Sequence, residues 1–276
     1  MSNNTKNQNK MNEMVRQINK DMQKLVSEFQ EDLARAKAIQ KSLIPNKFKN
    51  ISGLRVKHKY LSGMKSGGDY LDFFEYDDGG NVGVLMTDST GYGLSSTFMS
   101  IILRMAMKFT QSSLDGPAHV VEKIFEELKI TMKENESFSI YFGILNKKTC
   151  DLHYTGAGNI RFLVQSNESG SNKTLEYGFD LEALTKNSSH TLKDYALKLS
   201  PGDRIILLSD GFYRSYENED EFIKSTHSHY AEDAIELIND CTYHVKKRFS
   251  EDDDMPEEDC SVMVIDIEKN TMRLAK

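Results

Sequence analysis

Residues 66–96 read SGGDYLDFFEYDDGGNVGVLMTDSTGYGLSS, and the rest of the chain is read outward from them. Two apolar runs of strand character, 70–76 and 82–87, are joined by Asp77-Asp78-Gly79-Gly80, the composition of a hairpin turn. Asp69 stands at the start of the first run and Asp88 at the end of the second. Each has glycines beside it: Gly67-Gly68 before Asp69, Gly91 and Gly93 after Asp88. Such glycines let backbone come close, so that a rigid strand end can present a carboxylate. Two readings are open for the pair: turn or cap residues of a hairpin, or oxygen ligands of a hard divalent cation.

The pattern recurs downstream. The apolar run 205–208 ends in Ser209-Asp210-Gly211, and Glu258 and Asp259 directly precede the apolar run 261–266. Carboxylates therefore stand at the ends of four strand candidates, whereas histidine and cysteine have no comparable place. An all-oxygen donor set favours Mg²⁺ or Mn²⁺ over Zn²⁺. Four carboxylates in one place would repel one another unless cations sat among them. Two cations about 3.5–4 Å apart could share a water acidic enough to attack at neutral pH, which suggests phosphoester hydrolysis. Spacing alone does not bring the four ends together.

The surrounding sequence sets the frame. The chain has 276 residues, 38% hydrophobic and 28% charged, which suits a globular protein with a real core. Its most apolar helix candidate, 97–109, is broken by Arg104 and Lys108, so no membrane span is expected. The polar start carries no secretory signal, and the three cysteines, Cys150, Cys241 and Cys260, have no metal-like spacing. A reducing, cytoplasmic location follows. A net charge of −7 argues against nucleic acid as a partner.

Residues 1–10 read as a disordered tail. From there Met11, Val15, Ile18, Met22, Leu25 and Phe29 recur at alternating four- and three-residue spacing, then skip to Leu33 and Ala36. This is a long helix with a heptad-like seam, and residues 1–50 hold 10 Lys and Arg against 5 Asp and Glu. It either folds back on its own domain or pairs as a coiled coil with a second copy or a partner. Pro45 sets its end. Beyond it strands are expected at 55–60, 70–76 and 82–87, helices at 94–111 and 118–135, and strands at 139–145, 151–155 and 160–165. A polar stretch, 166–192, reads as long loops. Strands at 195–199 and 204–208, a helix at 231–249 and a last strand at 261–266 complete an α+β sandwich.

Five ordered blocks carry a family resemblance: SGGDYLDFF, TDSTGYGLSS, YTGAGN (154–159), LSPGDRIILLSDGFYRS and EEDCSVMVI. In this order they resemble the metal-dependent serine/threonine protein phosphatases (PPM, type 2C-like), in the bacterial branch typified by RsbU and SpoIIE. The likeness runs from about residue 35 to the C-terminus, and ARAKAIQKSLIP (34–45) is similar to the helix that precedes the catalytic domain in RsbU-like proteins. The resemblance implies an α-β-β-α sandwich of two antiparallel sheets flanked by helices, divided as a helical coiled-coil or regulatory segment at 11–45 and a phosphatase domain at 46–276.

The resemblance also implies two Mn²⁺ or Mg²⁺ ions held by Asp69, a bridging Asp88, the backbone carbonyl of Ser89, Asp210 and Glu258, with Asp259 beside it. Asp69, Asp88 and Asp210 are thereby the implied catalytic residues. A hydroxide bridging the ions would attack phosphorus directly, with no phospho-enzyme and no identified general acid. The implied substrate is phosphoserine or phosphothreonine on a regulatory protein, an anti-sigma-factor antagonist of STAS type, with signals arriving through an activator or self-association at helix 11–45. Glu258 stands where the family has Asp, Tyr92 where it often has His, Ser95-Ser96 for small apolar residues and Asn159 for the His of AGH. An inactive fold acting as a scaffold through its coiled coil is the alternative. Lys65 could touch phosphate or be solvated, Asp72 could stand behind the ligands or simply end a strand, and His227 with His229 is expected to be solvated in a polar loop.

Overall fold

A computed structural model describes residues 2–45, 47–64, 68–91, 94–112, 115–168, 171–189, 191–230, 232–248 and 255–269. Lys65, Tyr92, the flanking glycines Gly67 and Gly93, and acidic residues 251–254 lie outside them.

In chain order the elements are α1 (Ser2–Leu43), β1 (Leu54–Leu61), β2 (Tyr70–Glu75), β3 (Asn81–Ser89), α2 (Leu94–Thr110), α3 (Pro117–Lys129), β4 (Ser137–Asn146), β5 (Asp151–Ala157), β6 (Arg161–Glu168), β7 (Ser171–Tyr177), β8 (Leu184–Thr185), β9 (Tyr195–Lys198), β10 (Arg204–Leu208), α4 (Asp210–Tyr213), α5 (Glu219–Ser228), α6 (Ala234–Lys247) and β11 (Cys260–Ile267). One sheet has the order β1-β11-β10-β6-β7, the other β2-β3-β4-β5-β9 with β8 paired to β4, and every pairing is antiparallel.

The continuous apolar runs of β10 and β11 follow from burial on both faces. Ile205, Leu207, Met263 and Ile265 point into the core between the sheets. Ile206, Leu208, Val262 and Val264 point the other way, against Phe212, Phe222, Leu237 and Ile238 of α4, α5 and α6. Helices α2 and α3 cover the second sheet, where Met99, Leu103, Val121 and Phe125 join the main core. The layers are thus helix, sheet, sheet, helix, as expected.

The β2–β3 turn is the expected hairpin: Asp78 Oδ1 accepts the N–H groups of Gly80 and Asn81 at 2.9 and 3.0 Å, and Gly79 takes φ +61°.

Three expectations at the level of elements are corrected. The polar stretch 166–192 contains β7, which pairs with β6 as an edge strand, and β8. An edge strand keeps much of its surface in water, so Ser171–Tyr177 need not show strand hydrophobicity. Helix α5 occupies what read as a polar loop; Asn218 caps it by accepting the Glu221 N–H, and the Glu221 carboxylate accepts the Glu217 N–H. This is a relative of the capping box in which the Glu221 carboxylate reaches one residue beyond the N-cap, and Asn218-Glu219-Asp220-Glu221 carries its composition. Third, α1 begins at Ser2, because extending a formed helix into polar sequence needs no new nucleus.

The seam of α1 does not fold back on its own domain. Met11, Val15, Ile18, Met22, Leu25 and Phe29 are all exposed, whereas Ala36, Gln40 and Ile44 are buried. Among the described residues it is the last turns of α1 that engage the body, where Thr97 Oγ1 at the start of α2 donates to the Ala36 carbonyl at 3.3 Å. Among the described residues no helix is long and apolar enough to cross a membrane.

Candidate metal centre

Antiparallel pairing explains why carboxylates far apart in sequence gather. In an antiparallel pair the end of one strand lies beside the start of its neighbour. Tyr70 at the start of β2 sits opposite Thr87 near the end of β3, so Asp69 and Asp88 emerge together. Leu208 at the end of β10 sits opposite Val262 near the start of β11, so Asp210 emerges beside Glu258 and Asp259. Ser209 N–H donates to the Ser261 carbonyl, and Ser261 N–H to Ser209 Oγ, both at 2.9 Å, extending that pairing toward the carboxylates. The two sheets each contribute one such pair to a common edge.

Two glycines make this edge possible. A Cβ on Gly68 would stand 1.6 Å from Ser89 Oγ, and one on Gly211 would stand 2.2 Å from the Asp259 carbonyl oxygen. The backbone at both points lies against its neighbour where no side chain fits.

Asp69 is 1% exposed, and its Oδ2 has no hydrogen-bond partner. Burial, then the nearby charges of Asp88 and Asp259, hold its carboxyl well above the usual carboxylate range, although the hydroxyls of Ser209 and Ser261 favour its charged form. Asp88 is likewise held well above that range by burial and by Asp210, with Glu258 adding to the effect. The backbone N–H of Asp210 favours the charged form of Asp88, and the Asp210 carboxylate opposes it. Like charges this close require a proton or a cation between them.

Glu258 and Asp259 differ in their surroundings. Asp259 is buried; its Oδ2 accepts the Tyr60 hydroxyl at 2.8 Å and its Oδ1 the Gly63 N–H at 2.7 Å. The Glu258 side chain is 41% exposed and faces Arg214 at 3.9 Å. Arg214 was not singled out in the sequence. Its Nη1 lies 3.0 Å from Asp210 Oδ2, four residues earlier. The signal that could have found it is that spacing on a helical turn.

Other candidates fall elsewhere. Asp72 is buried in an ion pair with Arg104 Nη1 at 3.4 Å and accepts the Tyr70 hydroxyl and Phe73 N–H, so it is a structural carboxylate. His227 Nδ1 meets Thr174 Oγ1 at 3.2 Å, and His229 is paired with Glu232 and Asp240 rather than solvated. Ser95 donates to Glu136 and Thr131, Ser96 is buried, and the Asn159 N–H donates to Ser139, which sits opposite Asp88 on β4.

The fit to cations rests on these observations. The donors are carboxylates, the Ser89 carbonyl accepts a long 3.3 Å bond from the Gly68 N–H, and Asp69 Oδ2 is buried without a partner. Among the described residues no three His, Cys, Asp or Glu side chains are already drawn around one point. The carboxylates stand apart, with Arg214 set between Asp210 and Glu258. The edge therefore fits oxygen-loving divalent cations that would draw the carboxylates inward.

Residues 78–268 match the family described as Stage II sporulation protein E (SpoIIE). No curated protein sequence is significantly similar to the chain. Among solved structures, the SiaA-PP2C domain of Pseudomonas aeruginosa is similar with a TM-score of 0.68 at 15% identity, covering 88% of this chain and 97% of that one. RsbX in complex with magnesium gives 0.59 at 17%, covering 79% and 98%. The catalytic domain of the serine/threonine phosphatase PstP in complex with two manganese ions gives 0.55 at 13%, covering 78% and 98%.

Proposed function

Since the chain belongs to the SpoIIE family, a branch of the PP2C-type serine/threonine phosphatases, we propose that it hydrolyses phosphoserine or phosphothreonine on a regulatory protein of STAS type in the cytoplasm, at the carboxylate edge, with divalent cations. One observation carries this reading: Asp69, Asp88, Asp210 and Glu258, from the ends of strands in both sheets, share one edge where Asp69 Oδ2 is buried without a partner.

Asp69, Asp88, Asp210 and Glu258, with the Ser89 carbonyl, would hold two Mn²⁺ or Mg²⁺ ions. Such ions supply Lewis acidity toward a phosphoryl oxygen and a water that ionises near neutral pH. Asp88 feels the charges of Asp210 and Glu258 and acts in turn on Asp69, so of the four it is the carboxylate that would be shared between the ions. Asp259, committed to Tyr60 and Gly63, fixes the entry into β11 and leaves the ligand position to Glu258. Tyr60 and the Gly63 N–H thus orient the loop that carries Glu258.

Regulation through α1 is part of the proposal. The exposed seam of α1 offers a surface for a second copy or an activator, and its last turns rest on α2, which begins just beyond Ser89. Packing on α1 could therefore shift the segment that follows Asp88 between two arrangements.

Hydrolysis of p-nitrophenyl phosphate by the full chain, with Mn²⁺, Mg²⁺ or neither, tests the core of this. Turnover that needs metal and falls by about a hundredfold or more in Asp210→Asn is expected. Turnover without metal, or unchanged in Asp210→Asn, overturns the reading. A phosphorylated STAS protein tests the substrate, and a chain starting at Ala36 that keeps the full response to activator or dimerisation removes the role of α1.

A further inference from the structure

A phosphate monoester approaching this edge meets a wall of carboxylates, and something besides cations must welcome its charge. Among the described residues, Arg214 is the side-chain cation ion-paired to two of these carboxylates, at 3.0 Å from Asp210 and 3.9 Å from Glu258. It follows directly after the single turn of α4, and its backbone N–H is tied to the Asp210 carbonyl at 2.9 Å. Its side chain is 55% exposed while that of Asp210 is 15% exposed, so the guanidinium covers the carboxylate from the solvent side. On the phosphatase reading, substrate would arrive from that side.

We propose that Arg214 binds the phosphate of the substrate, its guanidinium passing from Asp210 and Glu258 to the non-bridging phosphate oxygens. The guanidinium offers five N–H donors in a planar fork that matches two phosphate oxygens at once. Asp210 and Glu258, on holding divalent cations, would loosen their hold on the guanidinium and free its donors. The same residue thereby shields the acidic edge before metal binds and receives the phosphate afterwards. An exposed ion pair with no such task would contribute little to stability, which leaves binding as the role that its place suggests. The assignment rests on the phosphatase reading above.

The test uses the full chain in Mn²⁺ and three readouts: inhibition of p-nitrophenyl phosphate hydrolysis by inorganic phosphate, the split between KM and kcat, and Mn²⁺ binding by calorimetry. Arg214→Ala is expected to raise both the phosphate inhibition constant and KM about tenfold or more, as loss of a hydrogen bond to a charged group does. Mn²⁺ should bind in the same number and no more weakly, because a competing cation has gone. Arg214→Lys should recover only part of the loss, since an ammonium lacks the fork. An unchanged phosphate inhibition constant in Arg214→Ala overturns the proposal and leaves a surface ion pair. Weaker Mn²⁺ binding with unchanged phosphate inhibition also overturns it, and assigns Arg214 to positioning carboxylates. A wild-type chain with neither turnover nor Mn²⁺ binding overturns the phosphatase reading and this assignment with it.

Discussion

Asp69 and Asp72 lie three residues apart, both buried, and they do opposite things. Asp72 has an Arg104 guanidinium, the Tyr70 hydroxyl and the Phe73 N–H around it. Asp69 has Asp88 and Asp259 for neighbours and an Oδ2 with no partner. Burial pushes both carboxyls above the usual range, but at Asp72 an arginine opposes the push, and at Asp69 two more carboxylates add to it. One site is closed by the chain's own groups; the other keeps a buried oxygen unpartnered, which the proposed function assigns to a cation. A buried carboxylate in need of a charge the chain does not supply marks function; a buried carboxylate with a cation marks structure.

The largest effect should come from the open site. Asp88→Asn is expected to lower metal-dependent turnover by about a thousandfold, as loss of a principal electrostatic group does. It should also raise the melting temperature of the metal-free chain, because it removes a charge from a self-repelling cluster. A lower metal-free melting temperature would break the comparison, since it would make the edge as self-sufficient as the Asp72 pocket.

Next in size is the closed site. Asp72→Ala is expected to cost about 2 kcal/mol in urea unfolding, less than a fully buried pair because Arg104 is 38% exposed. Turnover and Mn²⁺ affinity of the folded fraction should stay within about twofold. Lost Mn²⁺ binding would show that the two regions are one.

Acidity separates them more finely. A carboxyl whose folded pKa is raised gives stability that is full below the unfolded value of about 3.9 and is lost as pH rises through the folded value. Asp69, Asp72 and Asp88 all act in this direction. Metal-free protein should therefore lose some stability as pH rises from about 4, read as a falling melting temperature. Mn²⁺ should restore only the share due to Asp69 and Asp88, so the melting-temperature gain on adding it should be larger at neutral pH than at pH about 5. A gain independent of pH would detach metal binding from these carboxylates.

The smallest effect on stability lies on α1. Phe29→Ser should change the unfolding free energy of the monomer by less than about 0.5 kcal/mol, since Phe29 is exposed. Any self-association seen by light scattering should weaken in the same variant, and a dimer unaffected by it would clear the seam of that role.

Much of the fold could be read along the chain. The Asp77-Asp78-Gly79-Gly80 turn, the runs 205–208 and 261–266, and the apolar helix 97–109 announce themselves because turn chemistry and burial act residue by residue. The edge strand β7 and helix α5 were missed because an exposed strand and a capped polar helix need little hydrophobic signal.

At the site, the residue types proposed to meet a cation are legible along the chain: Asp69, Asp88, Asp210 and Glu258 at strand ends, with glycines that admit close backbone. How they divide the work follows from the folded arrangement. It tied Asp259 to Tyr60 and Gly63, gave Arg104 to Asp72, and set Arg214 over Asp210 and Glu258. The reason is physical: a carboxylate's role depends on the charges and donors within a few ångströms, and those neighbours come from strands paired across the sheets rather than from nearby positions in the chain.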